Sequence, residues 1–438
     1  MNEAAHDGAA RRAPDADAEL LLDPAVQGDP FAYYQQLRAD QPVLRMPSTG
    51  FYVLTRYEDL RTILRDPQTF SNTLDLEELS GGRARRLGAL FHERLAEKGW
   101  PHVPTLHQSD PPEHTRYRRL LNKVFSPGRV RQMIPDVERI CDQLIESFAG
   151  RGRCEFVSEF AFPLPGIVIS EQLGLPASEI GTFRRWADAM LAPAQGLLTD
   201  EDAAIGYADI EAEAQHYLAD VFQSRRTRPT GDLISALVAA SEEEERPLSM
   251  PELQNLLQQL ITGGYITTAD AITSAMWLLI ENPEQMRRIR ADPGLIKTFA
   301  EESLRMLAPV QGLFRKATRD VEFHGVPIPA GSILHVRYGA ANRDNEAFAA
   351  PEDFDVSREH VMRHLSFGQG PHACVGAPLA RQELVTAFER LLTRLDDLAL
   401  DSDRPVERNH GLLFYSFKAL PICFSRRAAG TTDRSASV

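Results

Sequence analysis

The stretch from His364 to Glu383, HLSFGQGPHACVGAPLARQE, limits what this chain can be more than any other. A glycine-rich run carrying Phe367, Gly368, Gly370 and His372 leads into Cys374. Gly376 follows, and Ala377-Pro378-Leu379-Ala380 opens an apolar helix. Glycines let a backbone pass close to a flat group and let amides turn toward a sulfur atom. A thiolate at a helix N-terminus is favoured by the free N–H groups and the dipole there. A buried structural cysteine is the competing account, because free Cys often behaves as a small hydrophobe. Zinc fits poorly, since no second Cys stands at a ligand spacing nearby.

Composition narrows the setting. With 438 residues, 43% of them hydrophobic, the chain can bury a large core and is long for one ordinary domain. A formal net charge of -14 argues against non-specific nucleic-acid binding. Cys141, Cys154, Cys374 and Cys423 are scattered, which suggests no disulfide framework and a reducing compartment. The N-terminal residues lack an apolar core of signal-peptide length, and no run of about 18 uncharged apolar residues occurs. The expectation is a cytoplasmic protein with no membrane and no nucleic-acid partner.

The pattern along the chain is mainly α with small β-sheets. Residues 1–19 are Ala-, Asp- and Arg-rich and are expected to be disordered. A single domain is expected over 20–428, with a loose polar tail at 429–438. Asp29-Pro30 starts a helix. Val43–Arg45 and Phe51–Leu54 alternate like paired strands. Ser71 to about Pro104, with Gly81-Gly82 and Trp100-Pro101, reads as a long connection, either a functional cover or disordered. Helices are expected after His107, over Val130–Phe148, from near Ser170 to Met190 and over Ala208–Arg225. The acidic run Glu242–Glu245 reads as a solvated loop. The longest helix is expected from Ser249, which forms a capping box with Glu252, to Asn282-Pro283. About 33 residues at 1.5 Å each make a rod of roughly 50 Å, enough to cross the domain. Strands are further expected at Val321–Phe323 and Ile333–Val336. Strands and helices do not alternate as a Rossmann unit requires.

The order Phe367, Gly368, Gly370, His372, Cys374, Gly376 resembles the haem-binding loop of cytochrome P-450 enzymes, FGxGxHxCxG, at every fixed position. The resemblance runs over roughly Asp29 to Phe424. It implies the cytochrome P-450 fold, with haem b between the long central helix and the cysteine loop. Cys374 would be the axial thiolate to the iron. Phe367 and Gly376 would line the haem, and His372 would face a propionate. His114 and Arg118, four apart in HTRYR, match the family's propionate pair, and Arg315 matches a further propionate cation. Glu302 and Arg305 match its ExxR motif, and Arg358 in PEDFDVSR stands where the family has the third partner. These three would form a charge-assisted network that fixes the cysteine loop.

In the long helix, Ile261–Asp270 reads ITGGYITTAD. The pair Gly263-Gly264 inside a helix costs about 2 kcal/mol against alanine. Close helix packing would explain it, and so would room for dioxygen. The segment aligns with the family's AGxxT oxygen-activation motif, with Gly263 in the Ala place and Thr267 as the alcohol. The family usually carries Glu or Asp immediately before that threonine, whereas this chain has Ile266, which has no proton to give. Asp270 stands one helical turn further on. The resemblance implies hydroxylation of an apolar small-molecule substrate with O2, with electrons from a separate ferredoxin and ferredoxin reductase. Arg116, Arg119, Lys123 and Arg363 are candidates for a positive docking patch, with plain solvated residues the competing account of Arg116 and Arg119. The pocket cover is expected from Leu87–Leu106 and from the helix around Trp186–Leu191. Its wall is expected from Tyr265, Leu313, Phe314 and the loop Leu412–Phe414, with Leu413 foremost. Alternatives left open are a nitric oxide reductase or peroxide-using haem enzyme of the same family, and a haem-binding protein without turnover.

Overall fold

A computed structural model describes residues 19–74, 82–176, 179–193 and 195–427. The expected loose segments at the two ends lie outside these residues, except for Glu19. Thirteen helices of eight or more residues occur among the described residues: α1 (Phe31–Asp40), α2 (Tyr57–Arg65), α3 (Gly82–Lys98), α4 (Glu113–Val124), α5 (Pro127–Ala149), α6 (Pro163–Gln172), α7 (Ile180–Leu191), α8 (Glu201–Thr227), α9 (Leu233–Glu242), α10 (Met250–Glu281), α11 (Pro283–Ala291), α12 (Ile296–Met306) and α13 (Ala377–Arg394). Strands are few. The largest sheet has five, in the order β1 (Val43–Arg45), β2 (Tyr52–Leu54), β8 (Ile333–Val336), β5 (Leu313–Ala317) and β3 (Phe70–Ser71). The hairpin β6 (Val321–Phe323) with β7 (Val326–Ile328) lies between β5 and β8 in the chain. A second sheet pairs β4 (Arg153–Glu155), β12 (Pro421–Arg426) and β9 (Leu395–Leu400). A two-stranded ribbon joins β10 (Glu407–Arg408) and β11 (Phe417–Ala419).

The central rod α10 follows from its ends. The Ser249 side chain accepts from the Glu252 amide, and the Glu252 carboxylate accepts from the Ser249 amide at 2.8 Å. Pro251 falls in the first turn, and Pro283 stops the helix after Asn282. Between these caps the helix is apolar on most sides, so it lies in the core and packs on α6, α7, α12 and α13.

The segment expected as a plain connection is corrected. Within Ser71–Pro104 the chain forms the 17-residue helix α3. Leu87, Phe91 and Leu95 recur every four residues and pack into Ala204, Ala208 and Ala212, which recur every four on α8. A ridge of large side chains on a groove of alanines is ordinary close helix packing. It outweighs the glycines at positions 82 and 88. The acidic run gains partners that the sequence did not show. Glu242 ends α9, the Glu243 carboxylate lies 2.7 Å from Lys123 Nζ, and Glu244 pairs with Arg119. The run after Glu242 is a solvent-exposed turn as expected, and two of its acids also clasp α4. Among the described residues no helix is long and apolar enough to cross a membrane.

Candidate active site

The cysteine loop is held by its backbone. The Cys374 amide donates to the Phe367 carbonyl at 2.8 Å. Gly368 and Gly370 take φ of 65° and 74°, a region that side chains disfavour. A Cβ on Gly370 would collide with the Leu64 carbonyl oxygen, so the loop closes on α2 only with glycine there. Behind it, Gly376 caps α13. Burial pushes the Cys374 thiol up. The Gly376 and Ala377 amides and the guanidinium groups of Arg118 and Arg381 oppose that push by favouring the thiolate. The cysteine nevertheless has an open side. Protein crowds the sulfur everywhere else, which accounts for a desolvated group being also accessible.

Four side chains from three elements converge beside it. His114 is 2% exposed, and its ring centroid lies 4.0 Å from that of His372. Nε2 of each ring is buried with no hydrogen-bond partner. Burial and the Arg118 charge lower the His114 pKa. Burial, then His114 and Arg315, bring His372 down to about 3. Arg118 donates to the Ala373 carbonyl and, from Nε, to Asn122 Oδ1 at 3.0 Å. Arg315 is 3% exposed and donates to the Phe314 carbonyl at 2.7 Å. Neither arginine has a carboxylate partner among the described residues. Two guanidiniums and two orphaned ring nitrogens therefore await an anion.

The α10 face above is open. A Cβ placed on Gly263 or Gly264 would meet nothing within 4 Å, so close helix packing is not the reason for the pair. Thr267 Oγ1 donates to the Gly263 carbonyl at 2.6 Å, the back-bond that loosens a helix. Ile266 is half-buried and packs against the main core.

Two of the pocket-wall expectations are corrected. Tyr265 is 3% exposed and lies on the far side of α10, its ring 4.5 Å from that of Phe162 and 5.9 Å from that of Phe183. Two residues past Gly263 is a 200° turn, which sends the side chain into the core. Phe314 is turned away from Arg315 by strand alternation. Its ring stacks on His335 at 4.5 Å and meets Phe51 at 5.4 Å. Leu313 shares the Arg315 side of β5 and is 40% exposed. Leu413 is half-buried, and its carbonyl accepts from the Gln311 amide at 2.7 Å, beside the start of β5.

A buried ionic network supports the loop. Glu302 and Arg305 are both fully buried and form a two-pronged pair at 2.7 and 2.8 Å. Arg305 also donates to the carbonyls of Asn342 and Pro351 at 3.0 and 2.8 Å. Glu302 Oε1 accepts from Arg358 Nε at 2.9 Å and from the Asp355 amide at 3.1 Å. Sequence reasoning missed a second network one residue away. Glu301 accepts from Arg381 Nε at 2.7 Å and lies 2.9 Å from His364 Nε2, and Arg381 sits over the Phe367 ring at 4.4 Å. Burial would raise the Glu301 pKa, yet these two partners hold it below the usual carboxylate range. The only sequence signal was a second acid beside Glu302 in AEES. The expected positive patch is not assembled. Arg116, Arg119 and Lys123 are bound by Glu252, Glu244 and Glu243. Of these four cations only Arg363 lines the 620 Å³ cavity beside Cys374.

This donor set suits a prosthetic group that offers a metal to sulfur and carboxylates to cations, which is the description of a haem on a cysteine. The cytochrome P450 family model matches residues 198–293 and 294–418. Over 408 residues the chain is 36% identical to cytochrome P450 CYP107DY1 of Priestia megaterium, covering 90% of this chain and 96% of that one. It is 33% identical over 404 residues to 6-deoxyerythronolide B hydroxylase of Saccharopolyspora erythraea, covering 90% and 96%. The crystal structure of the myxobacterial cytochrome P450 CYP267B1 with myristic acid superposes with a TM-score of 0.81 at 34% identity, covering 93% of this chain and all of that one. The chain belongs to the cytochrome P450 family. It is accordingly a haem-dependent monooxygenase that works with O2, a small-molecule substrate and a source of electrons.

Proposed function

We propose that this enzyme hydroxylates an apolar small molecule, with haem b bound through the Cys374 thiolate and electrons drawn from a separate ferredoxin and its reductase. The single observation that carries the reading is the convergence of the Cys374 sulfur with Arg118, Arg315, His114 and His372. These are cations and orphaned nitrogens without a protein carboxylate, placed where propionates would satisfy them. Phe367 and Gly376 flank the sulfur. Glu302, Arg305 and Arg358 anchor the segment before it.

When bound, the haem supplies the reduction and cleavage of dioxygen. The balance is one substrate C–H, O2, two protons and two electrons giving an alcohol and water. The chain's residues do the rest. The amides of Gly376 and Ala377 favour the ionised sulfur that would hold the iron, against the burial that raises the thiol. Gly263 and Gly264 leave room for a diatomic molecule on the α10 side. Thr267 Oγ1, which donates to the Gly263 carbonyl, is the hydroxyl that would hold and pass a proton on the open side of α10. Ile266 adds an apolar wall but no proton. Leu313 and the loop carrying Leu413 contribute apolar surface on the substrate side. In support of that substrate class, one relative is named for hydroxylating 6-deoxyerythronolide B and another was crystallised with myristic acid. The cavity beside Cys374, walled by Arg61, Arg363 and Arg381 with Met362 60% exposed, offers an acidic ferredoxin a small cationic surface.

The test is spectroscopic. The reduced protein under carbon monoxide should show the red-shifted Soret band that a thiolate ligand produces, and Cys374→Ala should abolish it. A band that survives the substitution refutes the assignment.

A further inference from the structure

The α10 helix carries one buried acid that none of the roles above uses. Asp270 is buried, at 7% exposure, and its Oδ2 has no hydrogen-bond partner. It lies three residues after Thr267 and seven after Gly263. At 100° per residue, Gly263, Thr267, Asp270 and Ser274 fall within about 60° of one another around the helix. Ser274 Oγ is likewise buried and unpartnered. A polar stripe thus runs from the open glycine face down into the core. Side chains three apart on one helix face lie about 5–6 Å apart at Cβ, close enough for contact directly or through one water.

We propose that Asp270 is the proton donor that replaces the acid missing at Ile266, handing its carboxyl proton to the Thr267 hydroxyl. The proposal rests on the reading of Thr267 as the alcohol of the oxygen site. Three facts support it. Ile266 cannot carry a proton, and its side chain is committed to core packing. Burial alone drives the Asp270 pKa well above its ordinary value, with no nearby charge among its causes, which favours the protonated form. An uncompensated buried carboxylate is costly, whereas a protonated one can donate. In the step, the O–H bond of Asp270 breaks as Thr267 Oγ1 gains that proton and releases its own toward the oxygen. The carboxylate left behind recovers a proton from solvent, and one proton of the two that water formation needs has been moved.

Two readouts decide it. The first does not involve turnover. The infrared spectrum of the resting enzyme at neutral pH should contain a protonated carboxyl band that Asp270→Asn removes. Glu383 is also buried, and burial pushes its pKa to about 8, so Glu383→Gln serves to assign the second such band. The second readout is coupling. Asp270→Asn should slow product formation in a single turnover by about 10²-fold, the low end for a general acid, and divert electrons to peroxide or water, while Glu383→Gln leaves coupling intact. Loss of the band with unchanged coupling overturns the relay. No band attributable to Asp270 in the wild-type enzyme overturns the neutral acid, and this holds even if Asp270→Asn fails to retain haem. Thr267→Ala separates the two readings. Coupling kept there but lost in Asp270→Asn would remove the threonine assignment and leave the acid standing.

Discussion

Glu302→Gln tests the buried network most sharply, because it removes one charge and almost no volume. Glu302 and Arg305 are fully buried, and Arg358 closes the network from the next segment. The substitution leaves the Arg305 guanidinium as an uncompensated buried cation and turns an amide donor toward its N–H groups. The carbonyls of Asn342, Pro351 and Asp353 still accept from Arg305, at 3.0, 2.8 and 3.1 Å, but they cannot neutralise it. Breaking one partner of a buried pair costs about 3–5 kcal/mol. At roughly 2.1 cal/mol/K per residue, about 400 ordered residues give an unfolding entropy near 0.85 kcal/mol/K, so the thermal midpoint should fall by about 4–6 °C. The assay is calorimetry of the haem-loaded wild type and variant side by side, with haem retention followed by absorbance. A midpoint shift below about 1 °C would refute the view that this pair is desolvated and unsupported by other anions. Glu302→Asp should recover part of the loss.

Two other outcomes follow from the site. Gly370→Ala should prevent the cysteine loop from seating on α2, because φ is 74° and the new methyl meets the Leu64 carbonyl oxygen. Haem content after purification should be at most a small fraction of wild type, whereas Gly88→Ala, with open space at its Cβ, should match wild type. Glu301 should contribute an acid-sensitive share of stability. Its folded pKa is depressed, so the contribution is complete above the unfolded value of about 4.3 and is lost as pH falls through the lower folded value. Denaturation midpoints of wild type and Glu301→Gln should therefore differ at neutral pH and converge in acid. A difference that stays constant with pH would contradict the role of His364 and Arg381.

Much of the frame is written locally and was legible for that reason. The central rod was readable at both ends, because a capping box and an Asn-Pro stop act within a few residues. Helix α3 was not, because its glycines are a local signal and the alanine groove on α8 that pays for them lies more than 100 residues away. The misplaced pocket residues share one cause. Sequence gives the spacing of Tyr265 and Phe314 but not the phase of their element against its neighbours, and a rotation of 200° or a step of one residue reverses the side they face. Cation function was hidden in the same way. Arg116, Arg119 and Lys123 look identical in sequence to Arg118, and only the fold shows that the first three meet carboxylates and the last does not.

That last distinction carries the charge logic of the molecule. Acidic side chains outnumber basic ones by 62 to 48, so a buried arginine should rarely lack an acid. Arg305 pairs with Glu302, Arg343 with Glu352 at 2.5 Å, and Arg38 with Glu352 at 3.5 Å, while Arg337 meets the Tyr34 hydroxyl, His335 and the Leu412 carbonyl instead. Arg118, half-buried, and Arg315, buried, have no acid among the described residues either, although burial of an unpaired charge costs several kcal/mol. Ring nitrogens of His114 and His372 are stranded at the same place. A chain with acids to spare could have satisfied all four groups from within, and doing so would have filled the space with its own carboxylates. Leaving them unmet transfers that free energy to whatever brings carboxylates in. Haem binding and the local order of the cysteine loop are then one equilibrium, in which the cofactor's affinity draws on charges the fold has already buried.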